Sequence, residues 1–463
     1  MRSGRHNADR DQPVVVINVH ALAAGGDGIG PDQNGRMTFV PHAAPGEVIK
    51  ARITMAKKDF ARAELLAVVT PSPDRVEPEC ALFAERQCGG CQWQHIDMAM
   101  QHRAKGEIVA RELRRCVARG MDLLPLRGAV APYRWRRRVR LHWSRQRGSE
   151  RAVIGFFSPR SHHIVDVERC PQMERAVADV VTTLRTELAP HLGSRGDIEI
   201  LAGHDGHVHV SITGFCSPKW ASRLVGKGGL LGTIVGVALK KRPGVGDRAG
   251  GNPQRLGADR GDERGNDDDE FAGGSGGSDG PPRRNRTLEW GKRNIAVEPG
   301  LRGRADHFAQ ASQAGNQALL AAVESACGPR DGKRVVEFYA GAGNLTRILA
   351  AGAAELVTTD SRPAPWAVRA PRSAGAAAPA PALTIDSRVG PADEVAEDLI
   401  EDGYYFDLAV LDPPRTGASE LMAPLLELRP ERIVYVSCDP ATLARDLDAL
   451  MAGGYRPISA QPL

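Results

Sequence analysis

No apolar run in this chain approaches the roughly 18 residues needed to cross a bilayer. The opening stretch MRSGRHNADRDQP also lacks the apolar middle of a secretory signal, so we expect a cytoplasmic protein with no membrane partner. Cysteine is scarce: 8 in 463 residues, too scattered for a secreted disulfide scaffold. In a reducing compartment, a local group of cysteines points to metal instead. Aromatic residues are sparse at 5% of the chain. Apolar residues are not, and 42% is enough to build real cores. At about 100–200 residues per domain, the length suggests roughly three domains.

Charge is unevenly spread. The net charge is +5, yet residues 101–160 alone hold 16 Lys/Arg against 4 Asp/Glu, leaving the remainder at −7. Within that window YRWRRRVRLHW interleaves Arg134, Arg136, Arg137, Arg138 and Arg140 with Tyr133, Trp135, His142 and Trp143. Guanidinium groups neutralise phosphates and flat rings stack on unpaired bases, which is how single-stranded RNA is held. The alternative is a solvated strand with an arginine-rich outer face.

Residues 13–72 alternate short β-like runs (VVVINVHAL, RMTFVPH, EVIKARITMA, RAELLAVVT) with glycine turns such as AAGGDGIG. Short strands with turn signals every 8–12 residues predict a small barrel of the OB type, a fold that commonly binds nucleic acid. A central β-rich segment, 73–241, carries the cysteines and the basic stretch. Residues 242–286 are nearly empty of apolar side chains, cannot offset ordering entropy by burial, and predict a disordered insertion. From about Lys333 the rhythm becomes strand–turn–helix (KRVVEFYAGAGN, AELVTTD, ALTID, FDLAVLDPP, RIVYVSC), which predicts a doubly wound α/β domain over 291–463.

The first of those strands ends in the glycine turn Tyr339-Ala340-Gly341-Ala342-Gly343-Asn344. Glycines let a ligand approach the backbone, and the helix that follows adds donors. Arg347 and Ile348 stand where a third glycine would follow in a dinucleotide fingerprint, so a nucleoside such as S-adenosylmethionine is favoured over a pyrophosphate. Asp360 ends the second strand, placed to accept from ribose hydroxyls. Asp412-Pro413-Pro414-Arg415 makes a stiff acidic lip at the end of FDLAVL, and Cys438 ends the next strand in VYVSCDPATLARDL. Open α/β sheets bind ligands beyond the carboxyl ends of their strands, so this lone thiol is a candidate nucleophile; the bland alternative is packing.

FYAGAGN, LDPPRTGA and VYVSCDPATLARD, in that order, resemble the RNA uracil-5-methyltransferases, and most closely their iron–sulfur, TRAM-domain branch that modifies 23S ribosomal RNA. The resemblance covers most of the chain. It implies a TRAM barrel at 13–72, a central iron–sulfur and RNA-binding domain at 73–241, and a Rossmann-like S-adenosylmethionine-dependent methyltransferase domain at 291–463. It also implies cofactor-binding roles for Gln310 in HFAQASQAGNQALL, Tyr339, Asn344, Asp360 and Asp412, beside Gly341 of the glycine turn, with Asp386 a weaker assignment, and a nucleophile's role for Cys438. The partner it implies is RNA, ribosomal or transfer; the oligomeric state is not legible in the sequence.

Cys80-x7-Cys88-Gly-Gly-Cys91 with Cys170-Pro171 supplies four thiols, fitting either zinc or a [4Fe–4S] cluster. Glycines in CGGC and the Cys-Pro pair favour the cluster, as does the resemblance of CGGCQWQH and HHIVDVERCPQM to the family's cluster segments. The first gap is seven residues where five is usual. The C-x3-C-x2-C of radical enzymes is absent. Cys116, Cys216 and Cys327 read as packing thiols, and His95 as a packing or hydrogen-bonding residue. Two further departures stand out. No residue matches the glutamate that acts as the family's proton-abstracting base, and the segment expected to carry it and a last strand is not found after GGYRPISAQPL. Five prolines within 361–382 predict a short, broken or absent helix. An alternative from a different class is therefore a non-catalytic RNA-binding iron–sulfur protein.

Overall fold

A computed structural model of the chain describes residues 12–128, 131–225, 231–241, 287–363 and 384–463. The expected disordered insertion, 242–286, and all but three residues of the proline-rich stretch lie outside the described residues.

Six strands open the chain: β1 (Val14–Asn18), β2 (Ala21–Leu22), β3 (Gly28–Pro31), β4 (Met37–Val40), β5 (Val48–Ala56) and β6 (Phe60–Thr70). Their order in the sheet is β1-β5-β6-β4-β3-β2, antiparallel except for β4 beside β6. Alternation in β5 sends Ile49, Ala51 and Ile53 into a core with Ile17, Val40 and Leu65 while Lys50 and Arg52 face outward. Gly30 is required here: a Cβ would sit 2.1 Å from the carbonyl oxygen of Asn18. The short helix α1 (Ala81–Ala84) follows Cys80. The longer α2 (Met98–Glu112) starts at Asp97, whose carboxylate accepts from the Met100 amide at 2.6 Å, and α3 (Arg114–Ala118) and β7 (Asp122–Leu123) come next.

The central sheet has seven strands: β8 (Arg138–Ser144), β9 (Val153–Phe157), β10 (Ile164–Asp166), β11 (Leu192–Ala202), β12 (Val208–Cys216), β13 (Ile234–Lys240) and β14 (Leu288–Gly291). The order is β10-β9-β8-β11-β12-β13-β14, antiparallel save for β12 beside β13. Helix α4 (Arg175–Thr183) packs Val177, Val180 and Val181 on Leu141, Ile198 and Ile200, while α5 (Pro218–Arg223) follows β12. Strands β13 and β14 flank residues 242–286 and pair antiparallel, Leu239 opposite Leu288.

After a small hairpin of β15 (Ile295–Glu298) and β16 (Leu301–Gly303) comes α6 (Gln313–Cys327), then the α/β unit. It runs β17 (Arg334–Phe338), α7 (Thr346–Leu349), β18 (Glu355–Asp360), β19 (Thr384–Val389), α8 (Ala392–Glu401), β20 (Leu408–Leu411), α9 (Met422–Leu428), β21 (Arg432–Tyr435) and α10 (Pro440–Ala452). The sheet is wholly parallel with order β19-β18-β17-β20-β21. Alternate residues of β17 feed two cores: Val335 packs with Leu319, Val323 and Leu349, and Val336 with Val395, Leu399 and Leu425. This is the expected doubly wound architecture, helices covering both faces. A last two-residue strand, β22 (Ser459–Ala460), pairs with β7.

Candidate active site

Parallel strands place all their carboxyl ends on one edge, so residues following β17, β18, β20 and β21 become neighbours. Three of the five residues after β17 have left-handed backbone: Tyr339 (φ 63), Gly341 (φ 54) and Gly343 (φ 82). For the two glycines this is free; for Tyr339 it is strained. Burial pushes the Tyr339 phenol up to about 12, helped by Asp393, Glu420 and Asp446. A Cβ on Gly341 would meet only the Tyr339 carbonyl, 4.0 Å away, so the top of the turn is open. Asp360 closes the turn from β18: one carboxylate oxygen accepts from the Gly341 amide at 2.8 Å and the other from Arg362 at 3.0 Å.

Beneath the turn lie two more carboxyl groups. Glu337 is 1% exposed, and burial pushes its carboxyl up to about 8, although the Thr346 hydroxyl lies 2.5 Å away. Asp412, half-buried after β20, is pushed up to about 6 by burial. Three acidic groups therefore meet at one sheet edge, with Glu337 sensing both Asp412 and Asp360.

The thiol of Cys438 is exposed, two residues beyond Val436, whose amide donates to Leu411 at 2.8 Å. The turn that holds it is built from local bonds. The Asp439 carboxylate accepts from the Ala441 and Thr442 amides at 2.9 and 3.3 Å, capping α10, while Ser437 and Asp439 bond reciprocally at 2.8 and 3.1 Å. Deeper in, Asp446 (1% exposed) accepts from the Tyr435 hydroxyl and the Ala418 amide, both at 2.7 Å. It thereby ties the strand before Cys438 to the loop after Asp412.

Gln310 reaches this edge by another route. Its carbonyl oxygen accepts from Arg137 Nε at 3.0 Å, and Arg137 also donates to the Val297 carbonyl at 3.0 Å and to Glu298 at 2.6 Å. Glu298 accepts from Asn316 at 2.9 Å, and the side-chain amides of Asn316 and Asn344 bond reciprocally at 3.1 and 2.7 Å. Two predicted cofactor residues, Gln310 and Asn344, are thus joined through one buried network. Phe308, beside Gln310, presents an exposed ring.

The basic stretch divides. Arg137 and Trp143 are buried, so they face no RNA; Arg138 pairs with Glu199, and Arg140 and His142 share Asp197. Tyr133, Arg134, Trp135 and Arg136 keep solvent access. Asp386, on β19, accepts a hydrogen bond from Arg388 at 3.0 Å.

Comparison with known proteins decides what this edge belongs to. A TRAM-domain model matches residues 13–66, and a tRNA (uracil-5-)-methyltransferase model matches 394–454. An RNA methyltransferase of Gloeobacter violaceus with no assigned role is 31% identical over 97% of this chain and 93% of its own. The 23S rRNA (uracil(1939)-C(5))-methyltransferase of Salmonella choleraesuis is 30% identical over 96% of this chain and 90% of its own. The chain belongs to the RNA uracil-5-methyltransferases. The crystal structure of the tRNA (uracil-54, C5)-methyltransferase of Pyrococcus abyssi, in complex with S-adenosyl-L-homocysteine, superposes with a TM-score of 0.59 at 19% identity, covering 94% of this chain and 92% of that one, and shows the same fold.

Elsewhere in this methyltransferase, Cys80 interacts with each of Cys88, Cys91 and Cys170, and Cys91 with both Cys88 and Cys170. Burial pushes the Cys170 thiol up to about 11, with Cys91 and Cys80 adding, and raises those of Cys88 and Cys91. The Gly90 amide donates to Cys88 Sγ at 3.4 Å. Among the described residues, no group of three or more His, Cys, Asp or Glu could hold a single metal ion. His95 is buried against Phe83, its ring pushed down to about 4 by burial. Cys116, Cys216 and Cys327 are buried in cores. Sequence reading missed Glu337, Asn316 and Asp446; the last lies inside VYVSCDPATLARD, where an acidic residue in an apolar helix face was the available signal. No helix among the described residues is long and apolar enough to cross a membrane.

Proposed function

We propose that this RNA uracil-5-methyltransferase uses S-adenosylmethionine and Cys438 to methylate a uridine of 23S ribosomal RNA. The observation that carries the mechanism is the exposed thiol of Cys438, on a capped strand–helix turn at the same sheet edge as the open glycine turn. Carbon 5 of uracil is a poor nucleophile. Addition of the Cys438 thiolate to carbon 6 makes an enolate, and carbon 5 then attacks an electrophilic methyl. The bound cofactor supplies that methyl on a sulfonium. A base removes the carbon-5 proton, and elimination expels Cys438 as thiolate. The chain's own groups orient the reaction: Gly341 and Asp360 shape the open turn for a nucleoside, Tyr339, Asn344 and Gln310 border it, and Asp412 stands between turn and thiol. The uracil must leave its stack, and the exposed Phe308 ring is available to receive it.

The ribosomal target is supported by the 30% identity to the Salmonella enzyme along 96% of the chain; the Pyrococcus neighbour, named for transfer RNA, shares the fold at 19% identity. RNA containing 5-fluorouridine should form a stable adduct with Cys438, because fluorine blocks elimination, and Cys438→Ala should form none. Adduct with the alanine variant sinks the mechanism. Tritium release from carbon 5 of normal uridine tests turnover; adducts without release would leave an RNA-binding protein that holds its substrate and stops.

For Cys80, Cys88, Cys91 and Cys170, the reading we favour is a [4Fe–4S] cluster with a structural role. Burial and neighbouring thiols raise Cys88, Cys91 and Cys170, with Cys80 contributing to each, and the Gly90 amide is directed at the Cys88 sulfur, as amide donors are at iron–sulfur clusters. Iron and acid-labile sulfide should co-purify with the protein in equal amounts; zinc in their place would overturn this.

A further inference from the structure

We propose that the central sheet carries a second RNA contact, a cleft formed by Arg145, Arg147, His191, Phe215 and Trp220 that stacks and neutralises single-stranded RNA flanking the target uridine. This rests on the RNA-modifying role of the chain, and extends it to a surface far from the reacting base. The cleft is open and about 770 Å³ in volume, and its lining among the described residues holds no Asp or Glu.

Three observations point to this occupant. Phe215, next to last in β12, is 70% exposed. Its Cβ is 2.8 Å from where a Cβ on Gly193 would stand, so the ring lies over bare backbone, and the β11–β12 register breaks between Leu192 and Gly196. A bulge of this kind re-aims side chains. Next, Trp220 is stacked face to face on His191 with centroids 3.9 Å apart and has the Arg223 guanidinium 4.2 Å from its ring centre. The indole is thus held between the two and forms a rigid wall beside the open Phe215 ring, which is the face left for a base. Finally, the cations here lack carboxylates. Arg145 is held by the carbonyl oxygens of Ala189 and Pro190 at 2.9 and 2.5 Å, and Arg147 is exposed, with no ion pair among the described residues. Elsewhere on this sheet, Arg138 and Arg140 of β8 are each matched by an acidic partner, as is Arg185 in the helical turn that follows α4. One exposed phenyl ring is unremarkable. Rings gathered with guanidinium groups that no carboxylate neutralises match the way single strands are bound, base on ring and phosphate on cation.

The location fits a flanking segment. Arg137, before β8, touches the Gln310 carbonyl, whereas Arg145 follows the other end of that strand. The eight residue steps from Arg137 to Arg145, at roughly 3.3 Å each, put the cleft about 26 Å from that contact, several nucleotides along an extended strand.

The test is the affinity of the full-length protein for a fluorescein-labelled oligouridylate of about 15 nucleotides, read by anisotropy. Phe215→Ala should weaken binding about tenfold, Phe215→Trp should restore it to within about twofold, and Arg147→Ala should reduce the salt slope by about 1. A duplex of equal length should not respond to Phe215→Ala. Unchanged affinity in Phe215→Ala, or equal losses for single strand and duplex, overturns the cleft. Adduct formation between Cys438 and a short 5-fluorouridine RNA reports the catalytic reading separately. Adduct with no effect at Phe215 sinks the cleft alone, and no adduct and no binding by the wild type sinks both.

Discussion

At the scale of single residues, the site is a place where burial moves protons. Glu337 lies wholly inside the parallel sheet, and its carboxyl is pushed up to about 8 from an ordinary 4.5, chiefly by burial and further by Asp412 and Asp360. The folded protein therefore keeps a proton that the unfolded chain releases above about pH 4.5. Its contribution to stability is fully present below that value and is lost as pH rises through about 8. Glu337→Gln supplies a neutral group of the same shape, so thermal unfolding from pH 5 to 8 should show a flatter decline in the variant than in the wild type. Parallel curves would mean the carboxyl is already ionised. None of this was legible in the sequence: in VVEFYAGAG a glutamate between valine and phenylalanine looks like any strand residue. The position of Cys438 at a strand end was legible because its strand ends abruptly in Asp-Pro and an amphipathic run, a pattern with a mechanical meaning.

At the scale of elements, the turns rather than the strands carry the chemistry. The strands were readable from apolar runs of four to six residues, since both faces of a parallel sheet are buried. The turn geometry was readable only in part: glycines at 341 and 343 marked a turn whose backbone a ligand can approach, while the left-handed backbone of Tyr339, at φ 63, gave no sign. Helix α10 shows how a turn is held. Pro440 pre-sets its first residue, and Asp439 caps it through the Ala441 and Thr442 amides. Losing such a cap costs about 1 kcal/mol, and here the cap is adjacent to the thiol. Asp439→Ala should thus slow adduct formation with 5-fluorouridine RNA far more than it weakens RNA affinity, and lower the melting temperature only slightly. Equal losses in rate and affinity would show that Asp439 contacts RNA instead.

At the scale of the whole molecule, the central sheet and the α/β unit are joined by a buried charge. Sequence reading grouped Arg137 with its arginine neighbours as a candidate RNA contact, because composition cannot reveal which one of five arginines points inward. Its partners, Val297, Glu298 and Gln310, are more than 150 residues away in sequence, beyond the reach of any periodicity. Arg137 and Glu298 are each 2% exposed at the side chain, and the Glu298 carboxylate passes the connection on to Asn316 and Asn344 beside the glycine turn. Removing one member of a buried pair strands the other charge, at about 3–5 kcal/mol, whereas replacing both with apolar groups is often nearly neutral. Arg137→Met should therefore lower urea-unfolding stability by about that amount, and Arg137→Met with Glu298→Leu should recover much of it. Cofactor binding should behave differently. Arg137 holds the Gln310 carbonyl, and Glu298 holds Asn316, which in turn bonds to Asn344. The double variant should then stay weak for S-adenosylmethionine even where stability returns, a divergence seen by comparing unfolding with cofactor titration. If affinity recovers along with stability, the network only fastens the two units together and does not position the cofactor's neighbours.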